Sequence, residues 1–390
     1  MILWLVSVIQ IILASRVVLR LLRTGGGQRV ENRHVQDSAR VSIIVPVLNE
    51  AARIETCLEG LIRQPEEVTE ILVVDGGSSD GTQSIIERWR RRHNRLRLID
   101  ASPVDESWTG KAWGLYVGLQ SARPQSEWIL CIDADVRCSS TLVPALLYHA
   151  KRTGNATFSI ATMQKLSGRA EALIHPSLLT TLIYRFGVPG KSTDNLHQVQ
   201  ANGQCFLSRK ETLLRTNAFC AAKMSLCEDI TVARRLAECR EKVGFYETDG
   251  LAQVTMYSSW REAWRNWPRS LAMRDQYFGW REMIGMGEVL MTQALPLPFF
   301  IIGLTLGAPF WLLAPNLSLV MIRMGILVGV ARAYAPRPWT YWLSPLLDVP
   351  AALRLFASAF MRKQAWRGRV YLRRSGGKFE VFDTSEAASQ

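Results

Sequence analysis

The sequence predicts an α/β domain built on a largely parallel sheet, with apolar membrane helices at both ends of the chain. From residue 41 onward, short runs of β-branched and apolar residues alternate with amphipathic stretches, which is the pattern of successive βαβ units. Apolar residues are otherwise concentrated in the first 22 positions and after Met283. The middle of the 390-residue chain is therefore expected to form the α/β domain.

The predicted strands and helices of this domain can be placed from the pattern. The candidate strands are short runs rich in Val, Ile and Leu, at 41–45, 71–74, 96–99 and 128–132. The stretches between them have helical spacing of apolar residues, at 50–63, 83–92 and 111–121. Ligands of an open parallel sheet bind at the carboxyl ends of its strands, so functional residues are expected directly after these runs.

Residues 1–23 are predicted to form an N-terminal membrane anchor, followed by a polar linker at 24–40. The apolar stretch is interrupted by Gln10, Arg16 and Arg20. Its positive charges follow the apolar core, whereas those of a cleaved signal peptide precede it. This polarity favours a retained anchor whose C-terminal side is cytoplasmic. An amphipathic helix lying on the membrane surface remains the alternative.

The region after the α/β domain, which we place at 41–282, is also predicted to contact the membrane. Residues 283–335 are long and apolar enough for two transmembrane helices. Residues 336–390 contain a third apolar stretch with basic flanks and a basic tail, and re-entrant or interfacial helices satisfy the positive-inside rule there. We therefore expect a multi-pass protein of the cell membrane with its catalytic domain in the cytoplasm.

The net charge of +13 raises the question of nucleic-acid binding. Many of the basic residues flank apolar segments, as Arg16 and Arg20 do, and this distribution fits anionic lipid headgroups better than nucleic acid. We expect a membrane partner and no nucleic acid. The seven cysteines show no paired spacing and the histidines form no cluster with them, so no zinc site is predicted.

Acidic residues follow three of the candidate strands. Asn49 and Glu50 come after the first strand, Asp75 after the second, and Asp133 and Asp135 after the fourth. The glycine-rich segment after Asp75 lacks the lysine of a phosphate-binding P-loop. Two carboxylates at a sheet edge are costly unless a cation or ribose hydroxyls meet them. Mg²⁺ or Mn²⁺ bridging carboxylate and diphosphate fits this edge, with Asp133 and Asp135 as metal ligands.

Two further segments carry candidate functional groups. Lys111 lies at the start of a predicted helix, where it is placed to neutralise a diphosphate. Glu228 and Asp229 begin another helix, and Asp229 is a candidate general base for an acceptor hydroxyl. Each motif also has an ordinary structural explanation, as a solvated lysine or as acids favoured at a helix N-terminus.

Five motifs in order resemble the family 2 glycosyltransferases with the GT-A fold. They are V-P-x-x-N-E at 45–50, V-D-G-G-S-S-D-G-T at 74–82, G-K-A-W at 110–113, D-A-D at 133–135 and E-D at 228–229. The resemblance covers about residues 41–274. It implies that Asp75 contacts the nucleotide base, that Asp133 and Asp135 hold ribose, diphosphate and metal, and that Asp229 is the base of an inverting transfer. Pro46, Asn49, Glu50 and Lys111 complete the implied donor site.

Finer features resemble the hopene-associated and cyanobacterial carotenoid 2'-O-glycosyltransferase branch. They are W-T-G-K at 108–111, A-N-G-Q-C at 201–205 and W-R-G-R-V-Y at 366–371. In this branch Asn202, Gly203 and Gln204 are expected to line the sugar or acceptor pocket, next to Glu228.

The segment 260–269 lacks the Q/R-x-x-R-W signature of processive synthases, which favours a single transfer. We expect it to be an interfacial helix. Trp264 and Trp267 would then lie at headgroup depth, and Arg265 or Arg269 would reach the diphosphate.

These features predict an inverting, metal-dependent glycosyltransferase that moves one sugar from a UDP-, GDP- or dTDP-sugar to a hydroxyl of a lipid-like acceptor such as a carotenoid. The cofactor is expected to be Mn²⁺ or Mg²⁺. Two alternatives remain open. One is a polyprenyl-phosphate sugar transferase, and the other is a membrane scaffold that kept the GT-A fold and lost catalysis.

Overall fold

The computed structural model describes residues 2–33, 37–255, 257, 259–270, 276–366, 369–374 and 379–382. The strands are β1 Arg29–Val30, β2 Val41–Val47, β3 Val68–Asp75, β4 Leu96–Asp100, β5 Trp128–Ile132, β6 Val136–Cys138, β7 Thr157–Ile160, β8 Met163–Gln164, β9 Lys191–Thr193, β10 Cys205–Arg209, β11 Val243–Thr248, β12 Ala252–Val254, β13 Lys363–Trp366, β14 Arg369–Arg373 and β15 Phe379–Phe382. The α-helices are α1 Ile2–Thr24, α2 Ile54–Ile62, α3 Thr82–Arg90, α4 Gly110–Ser121, α5 Leu142–Thr153, α6 Arg169–Phe186, α7 Lys210–Thr216, α8 Ala218–Ala221, α9 Glu228–Glu238, α10 Trp260–Ser270, α11 Trp280–Val289, α12 Pro296–Thr305, α13 Phe310–Gly329 and α14 Asp348–Phe360.

The main sheet is mixed. Its strand order is β1-β11-β7-β10-β5-β2-β3-β4, and β9 pairs with β11. The four strands predicted from the sequence are β2, β3, β4 and β5, and they pair in parallel. Strand β10 runs antiparallel between β5 and β7, with Cys205 opposite Ile132. The start of β10 therefore lies beside the carboxyl end of β5, and the loop that precedes β10 is brought to the same edge.

Helices cover both faces of this sheet. Alternate strand residues point to opposite faces, so that Ile43 packs with α2, α3 and α5 and Ile44 packs with α4 and α9. The predicted linker at 24–40 contributes β1, which extends the sheet by pairing with β11. The carboxyl ends of β2, β3 and β5 remain uncovered by these two helical layers and form the edge on which a site can be built.

Two glycines let α4 lie unusually close to β2. A Cβ at Gly114 would lie 3.0 Å from Pro46 Cβ, and one at Gly118 would lie 2.5 Å from Ile44 Cγ2. The two glycines are four residues apart and so occupy one face of the helix. This close packing fixes the N-terminus of α4, and with it Lys111, beside the sheet edge.

A helical bundle packs against the α/β domain. Its apolar core includes residues of α1, α6, α10, α11 and α14. Within the described part of the chain, three helical segments are long and apolar enough to cross a membrane, Trp4–Thr24, Phe310–Ala333 and Trp339–Phe360. A fourth is counted if Trp280–Ala294 and Pro296–Thr305, which meet at a bend of 41°, form one span. The first apolar segment of the region 283–335, for which two spans were expected, is therefore bent at Pro296, which cannot continue the hydrogen-bond ladder.

The polar residues of α1 contact the bundle. Arg16 Nε lies 2.6 Å and Arg20 Nη1 lies 2.8 Å from the two carboxylate oxygens of Glu288, whose side chain is fully buried. Gln10 donates to the carbonyl of Met291 and to Asn316 Oδ1, both at 3.0 Å. Helix α1 is thus joined by specific polar contacts to helices that lie far along the sequence.

The described parts of the C-terminal tail form a small antiparallel sheet of β13, β14 and β15, with β14 in the centre. The basic tail expected from the sequence is in this part an ordered element that returns toward the α/β domain, because Phe379 N donates to the carbonyl of Met224 at 2.9 Å.

We expect Gly118→Ala to destabilise the protein by about 1–3 kcal/mol, because the added methyl group overlaps buried Ile44. Chemical denaturation in detergent, followed by tryptophan fluorescence, measures this change. Gly287→Ala is the matched control, since Gly287 is also helical but an added Cβ meets nothing within 4 Å. Equal effects of the two substitutions would contradict the close packing of α4 on β2.

Candidate active site

A cavity of about 260 Å³ lies at the carboxyl edge of β2, β3 and β5. Its walls come from strand ends, helix starts and two elements of the bundle region. The charged and amide side chains that line it are Glu50, Arg53, Lys111, Asp133, Asp135, Asn202, Gln204, Glu228, Asp229, Glu262 and Asn266. Seven residues predicted from separate motifs therefore share this cavity: Lys111, Asp133, Asp135, Asn202, Gly203, Gln204 and Asp229. Pro46, Glu50 and Glu228 line it as well.

Lys111 connects two acidic motifs at the centre of the cavity. Its Nζ lies 2.8 Å from Asp133 Oδ1, 3.0 Å from Asp133 Oδ2 and 2.6 Å from Glu228 Oε1. These neighbouring carboxylates, with Asp229, keep the pKa of Lys111 well above its usual value against the effect of burial. Lys111 is therefore a permanent cation in a site that is otherwise rich in acids.

Asp229 lies at the N-terminus of α9. Its Oδ2 accepts from the Gly203 N–H at 2.9 Å and its Oδ1 accepts from the Ile230 N–H at 2.8 Å. Burial and the adjacent Glu228 carboxylate raise the pKa of Asp229 to about 6, although Lys111 and the two backbone donors oppose the rise. A carboxylate with a pKa near neutral, held in place by two N–H groups, has the properties of a general base.

The loop before β10 approaches the lysine and both helix-start acids closely at Gly203. A Cβ at this position would lie 2.9 Å from Lys111 Nζ, 3.1 Å from Asp229 Cβ and 3.2 Å from Glu228 Oε1. Asn202 fixes the loop, because its Nδ2 donates to the Ile160 carbonyl and its Oδ1 accepts from the Gln204 N–H. Only glycine leaves room for this arrangement at residue 203.

Asp135 carries a buried carboxylate oxygen, Oδ1, that has no hydrogen-bond partner among the residues that the structure describes. Burial, Asp133 and Glu50 raise the pKa of Asp135 to about 7. An unpaired buried oxygen beside another carboxylate is the donor chemistry that a hard divalent cation satisfies. Among the residues that the structure describes, no group of three or more His, Cys, Asp or Glu side chains is arranged to hold a metal by itself.

Asp75 and Asn49 do not line the cavity. Asp75 is fully buried and accepts from the backbone of Gly77 and Ser78, from the Ser78 hydroxyl and from Gln83 Nε2. Asn49 is exposed, and its Oδ1 accepts from the Ser79 N–H at 2.9 Å. Both side chains form hydrogen bonds within the loops at the strand ends, and their expected contacts with the donor stay a prediction.

Helix α10 faces the cavity with residues other than those expected. Glu262 and Asn266, four residues apart, line the cavity. Trp267 lies in the bundle core, where the centroid of its ring is 3.8 Å from the centroid of the His175 ring. Arg265 is exposed.

Trp264 is partly buried against the same core. The side chain of Arg269 lies outside the described part of the chain. The expected pocket roles of Trp264, Arg265 and Trp267 are therefore not supported by their positions, because the packing of Ala263 and Trp267 sets the rotation of the helix.

The cavity residues that were not predicted include Arg53, Tyr257 and Tyr371. Arg53 directly precedes α2, and its Nη1 lies 3.9 Å from Glu50 Oε2. Tyr257 and Tyr371 come from segments outside the motifs used for the site. A basic residue three positions after Glu50 could have been noticed in the sequence. The two tyrosines could not, since their positions depend on long-range packing.

The helix that carries Asp229 is tied to the bundle by a buried carboxylate. Glu282 on α11 lies 3.5 Å from Arg234 Nη2 on α9 and 3.2 Å from His197 Nδ1 in the segment that leads to Asn202. Arg234 is fully buried. The bundle therefore contacts both segments that position Asp229.

Residues 42–212 match the family model described as glycosyl transferase family 2. Over this segment the chain is therefore similar to the family 2 glycosyltransferases, and the predicted GT-A fold is confirmed as an α/β fold with a mixed sheet. The fold is similar to that of the mannosyltransferase PcManGT from Pyrobaculum calidifontis, solved with GDP-Man and Mn²⁺. The TM-score is 0.50 at 19% identity, over 90% of this chain and 99% of that one.

Two relatives have sequence similarity over parts of their length. Glycosyltransferase AglE of Haloferax volcanii is 35% identical over 77 residues, which are 19% of this chain and 25% of AglE. The 4,4'-diaponeurosporenoate glycosyltransferase of Staphylococcus haemolyticus is 22% identical over 248 residues, or 62% of this chain and 64% of that protein. The matched segments thus span less than two thirds of either relative.

We expect Gly203→Ala to lower glycosyl transfer about tenfold or more while changing stability little. The new methyl group displaces the flexible end of Lys111 from Asp133 and Glu228 without disturbing the core. Initial rates of nucleoside diphosphate release and melting temperatures test this expectation. Gly168→Ala serves as control, because an added Cβ there meets nothing within 4 Å. Full activity of Gly203→Ala would show that the close approach is unimportant.

Proposed function

We propose that this protein is an inverting, metal-dependent glycosyltransferase that moves one sugar from a nucleotide-sugar donor to a hydroxyl of a lipid-like acceptor at a membrane surface. The single observation that carries the proposal is the convergence of Lys111, Asp133, Asp135 and Asp229 on one cavity. In this proposal residues 41–282 form the catalytic domain, and residues 1–23 and those after 283 form the membrane part, with the catalytic domain in the cytoplasm.

The charge of the cavity supports a divalent cation as cofactor. Its described lining includes six carboxylate side chains and two cationic ones, Arg53 and Lys111. A diphosphate is repelled by such an excess of negative charge unless a further cation accompanies it. We propose that Asp135, with Asp133, holds Mn²⁺ or Mg²⁺, which would stabilise the charge of the departing nucleoside diphosphate. The unpaired Oδ1 of Asp135 supports this assignment.

The transfer itself is a single displacement in this proposal. Asp229 takes the proton of the acceptor hydroxyl, the acceptor oxygen forms a bond to C1 of the sugar, and the bond from C1 to the diphosphate oxygen breaks with its electron pair. Each oxygen of Asp229 accepts one backbone N–H and retains capacity for the hydroxyl. Lys111 remains beside Asp133 to offset the negative charge of the diphosphate.

The acceptor is proposed to be apolar because the cavity borders the helical bundle. Glu262 and Asn266 of α10 line the cavity, and Ala263 and Trp267 of the same helix lie in the core shared with α11 and α14. Helix α14 belongs to an apolar segment of membrane-spanning length. The relative named for 4,4'-diaponeurosporenoate supports a carotenoid-like acceptor, and the absence of the Q/R-x-x-R-W signature at 260–269 supports a single transfer.

Lipid analysis of cells with and without the protein tests this function. We expect one new lipid carrying a single hexose or deoxyhexose in cells with the wild-type protein, and none with Asp229→Asn, a variant that keeps the shape of the side chain and lowers turnover about 10²–10⁴-fold. Mass spectrometry of extracted lipids measures the product, and its resistance to mild acid separates a hydroxyl linkage from a phosphate linkage.

Binding measurements complete this test. Asp229→Asn is expected to keep Mn²⁺-dependent affinity for the nucleotide sugar that the wild-type protein prefers among UDP-, GDP- and dTDP-sugars. Unchanged lipids together with no metal-dependent binding would instead identify a scaffold. An acid-labile product would identify a polyprenyl-phosphate transferase.

The transfer rate is expected to fall at acidic pH. Since the pKa of Asp229 is raised to about 6, the carboxylate is protonated below that pH and cannot accept a proton from the acceptor. We expect kcat/KM to drop about tenfold per pH unit below about pH 6, measured at saturating Mn²⁺ so that proton competition at Asp135 does not limit the rate. Because the pKa of Lys111 is raised, deprotonation of Lys111 is not expected to lower the transfer rate at alkaline pH. A flat profile down to about pH 5 would remove Asp229 from this role.

A further inference from the structure

The segment at 366–371 has no role in the site as described so far, although its last residue reaches the cavity. Tyr371 lines the cavity and is 3% exposed. It lies on β14, the central strand of the C-terminal sheet, and pairs with Gln364 on one side and Val381 on the other. The phenol side chain is therefore carried by a strand that is supported at both edges.

The C-terminal sheet is attached to the segment that leads to Asp229. Phe379 on β15 is 1% exposed, and its N–H donates to the carbonyl of Met224 at 2.9 Å. Ser225 and Leu226 follow Met224 directly and line the cavity. The sheet thus contacts the chain immediately before the helix of the proposed base.

The other attachment of the sheet is to the last apolar helix. The chain leaves α14 at Phe360 and enters β13 at Lys363. Arg373 of β14 donates from Nη1 to the carbonyl of Ala359 at 2.5 Å, and its N–H donates to the carbonyl of Arg362 at 2.8 Å. The C-terminal sheet therefore joins the end of an apolar segment of membrane-spanning length to the cavity.

We propose that Tyr371 forms a wall of the acceptor subsite and is a specificity-determining residue, whose ring packs on the apolar part of the lipid next to the hydroxyl at Asp229. The inference rests on the proposed function. The charged groups assigned to the diphosphate and to its metal, Lys111 and Asp135, come from the start of α4 and the segment after β5. Tyr371 contributes an uncharged ring to the cavity from a sheet that is attached to Met224 and to α14, and such a ring suits an apolar acceptor instead.

The proposal is tested by separating acceptor binding from donor binding. The purified full-length protein receives total lipid extracted from cells that lack it, together with Mn²⁺ and its preferred radiolabelled nucleotide sugar. We expect Tyr371→Ala to raise the half-saturating amount of lipid about tenfold. The dissociation constant for the nucleotide sugar, measured by calorimetry without lipid, should change by less than about twofold.

Two further variants control for damage to the sheet. Tyr371→Leu keeps an apolar side chain in the buried position and is expected to show the same selective effect on the lipid, even where Tyr371→Ala does not fold. Leu372→Ala changes the neighbouring residue of the same strand, which points to the opposite face, and should leave both constants near those of the wild type.

The outcomes distinguish this inference from the proposed function. If the wild-type protein labels no lipid, the proposed function fails and the inference fails with it. Suppose instead that the wild-type protein labels lipid, and that Tyr371→Ala and Tyr371→Leu need the same half-saturating amount of lipid as the wild type. Only the inference is then overturned. An equal loss of donor and lipid affinity in folded Tyr371→Leu would also overturn it, because Tyr371 would then act through the donor site or the fold.

Discussion

The arrangement of the candidate active site depends on the position of one ammonium group. Lys111 lies between Asp133 at the end of β5 and Glu228 at the start of α9, and so neutralises charge that would otherwise drive these segments apart. Its own position follows from the glycines of α4, which allow that helix to lie against β2. The absence of a side chain at Gly203 leaves the space that the ammonium group occupies. Asp133, Glu228 and Gly203, which lie far apart in the sequence, are thus arranged around one lysine.

The sequence predicted the sheet edge well because parallel strands place their carboxyl ends together. Asp133 and Asp135 could be located by this rule alone, and β10 brings the loop at Gly203 to the same edge by pairing antiparallel with β5. Asp75 also lies at the carboxyl end of its strand, as this rule predicts. The side chains of Ser78 and Gln83, however, donate hydrogen bonds to its carboxylate. Local hydrogen bonds of this kind are not visible in a pattern of strand ends.

Other features of the site depend on tertiary packing. The tryptophans of α10 drew attention as interfacial residues, yet the contact between Trp267 and His175 turns Glu262 and Asn266 toward the cavity. Periodicity shows that a helix has faces, but it does not show which face meets which neighbour. Tyr371 reaches the cavity only through a sheet formed at the far end of the chain, and nothing in the local sequence indicates that contact.

The burial of Glu288 against Arg16 and Arg20 has a consequence for biosynthesis. The two arginines are synthesised long before their carboxylate partner, which is separated from Arg16 by 272 positions. Helix α1 therefore lacks this counter-ion until synthesis has reached Glu288, and by then every described strand of the main sheet has been made. The ion pairs between α1 and Glu288 can accordingly form only after the residues of the main sheet have been synthesised.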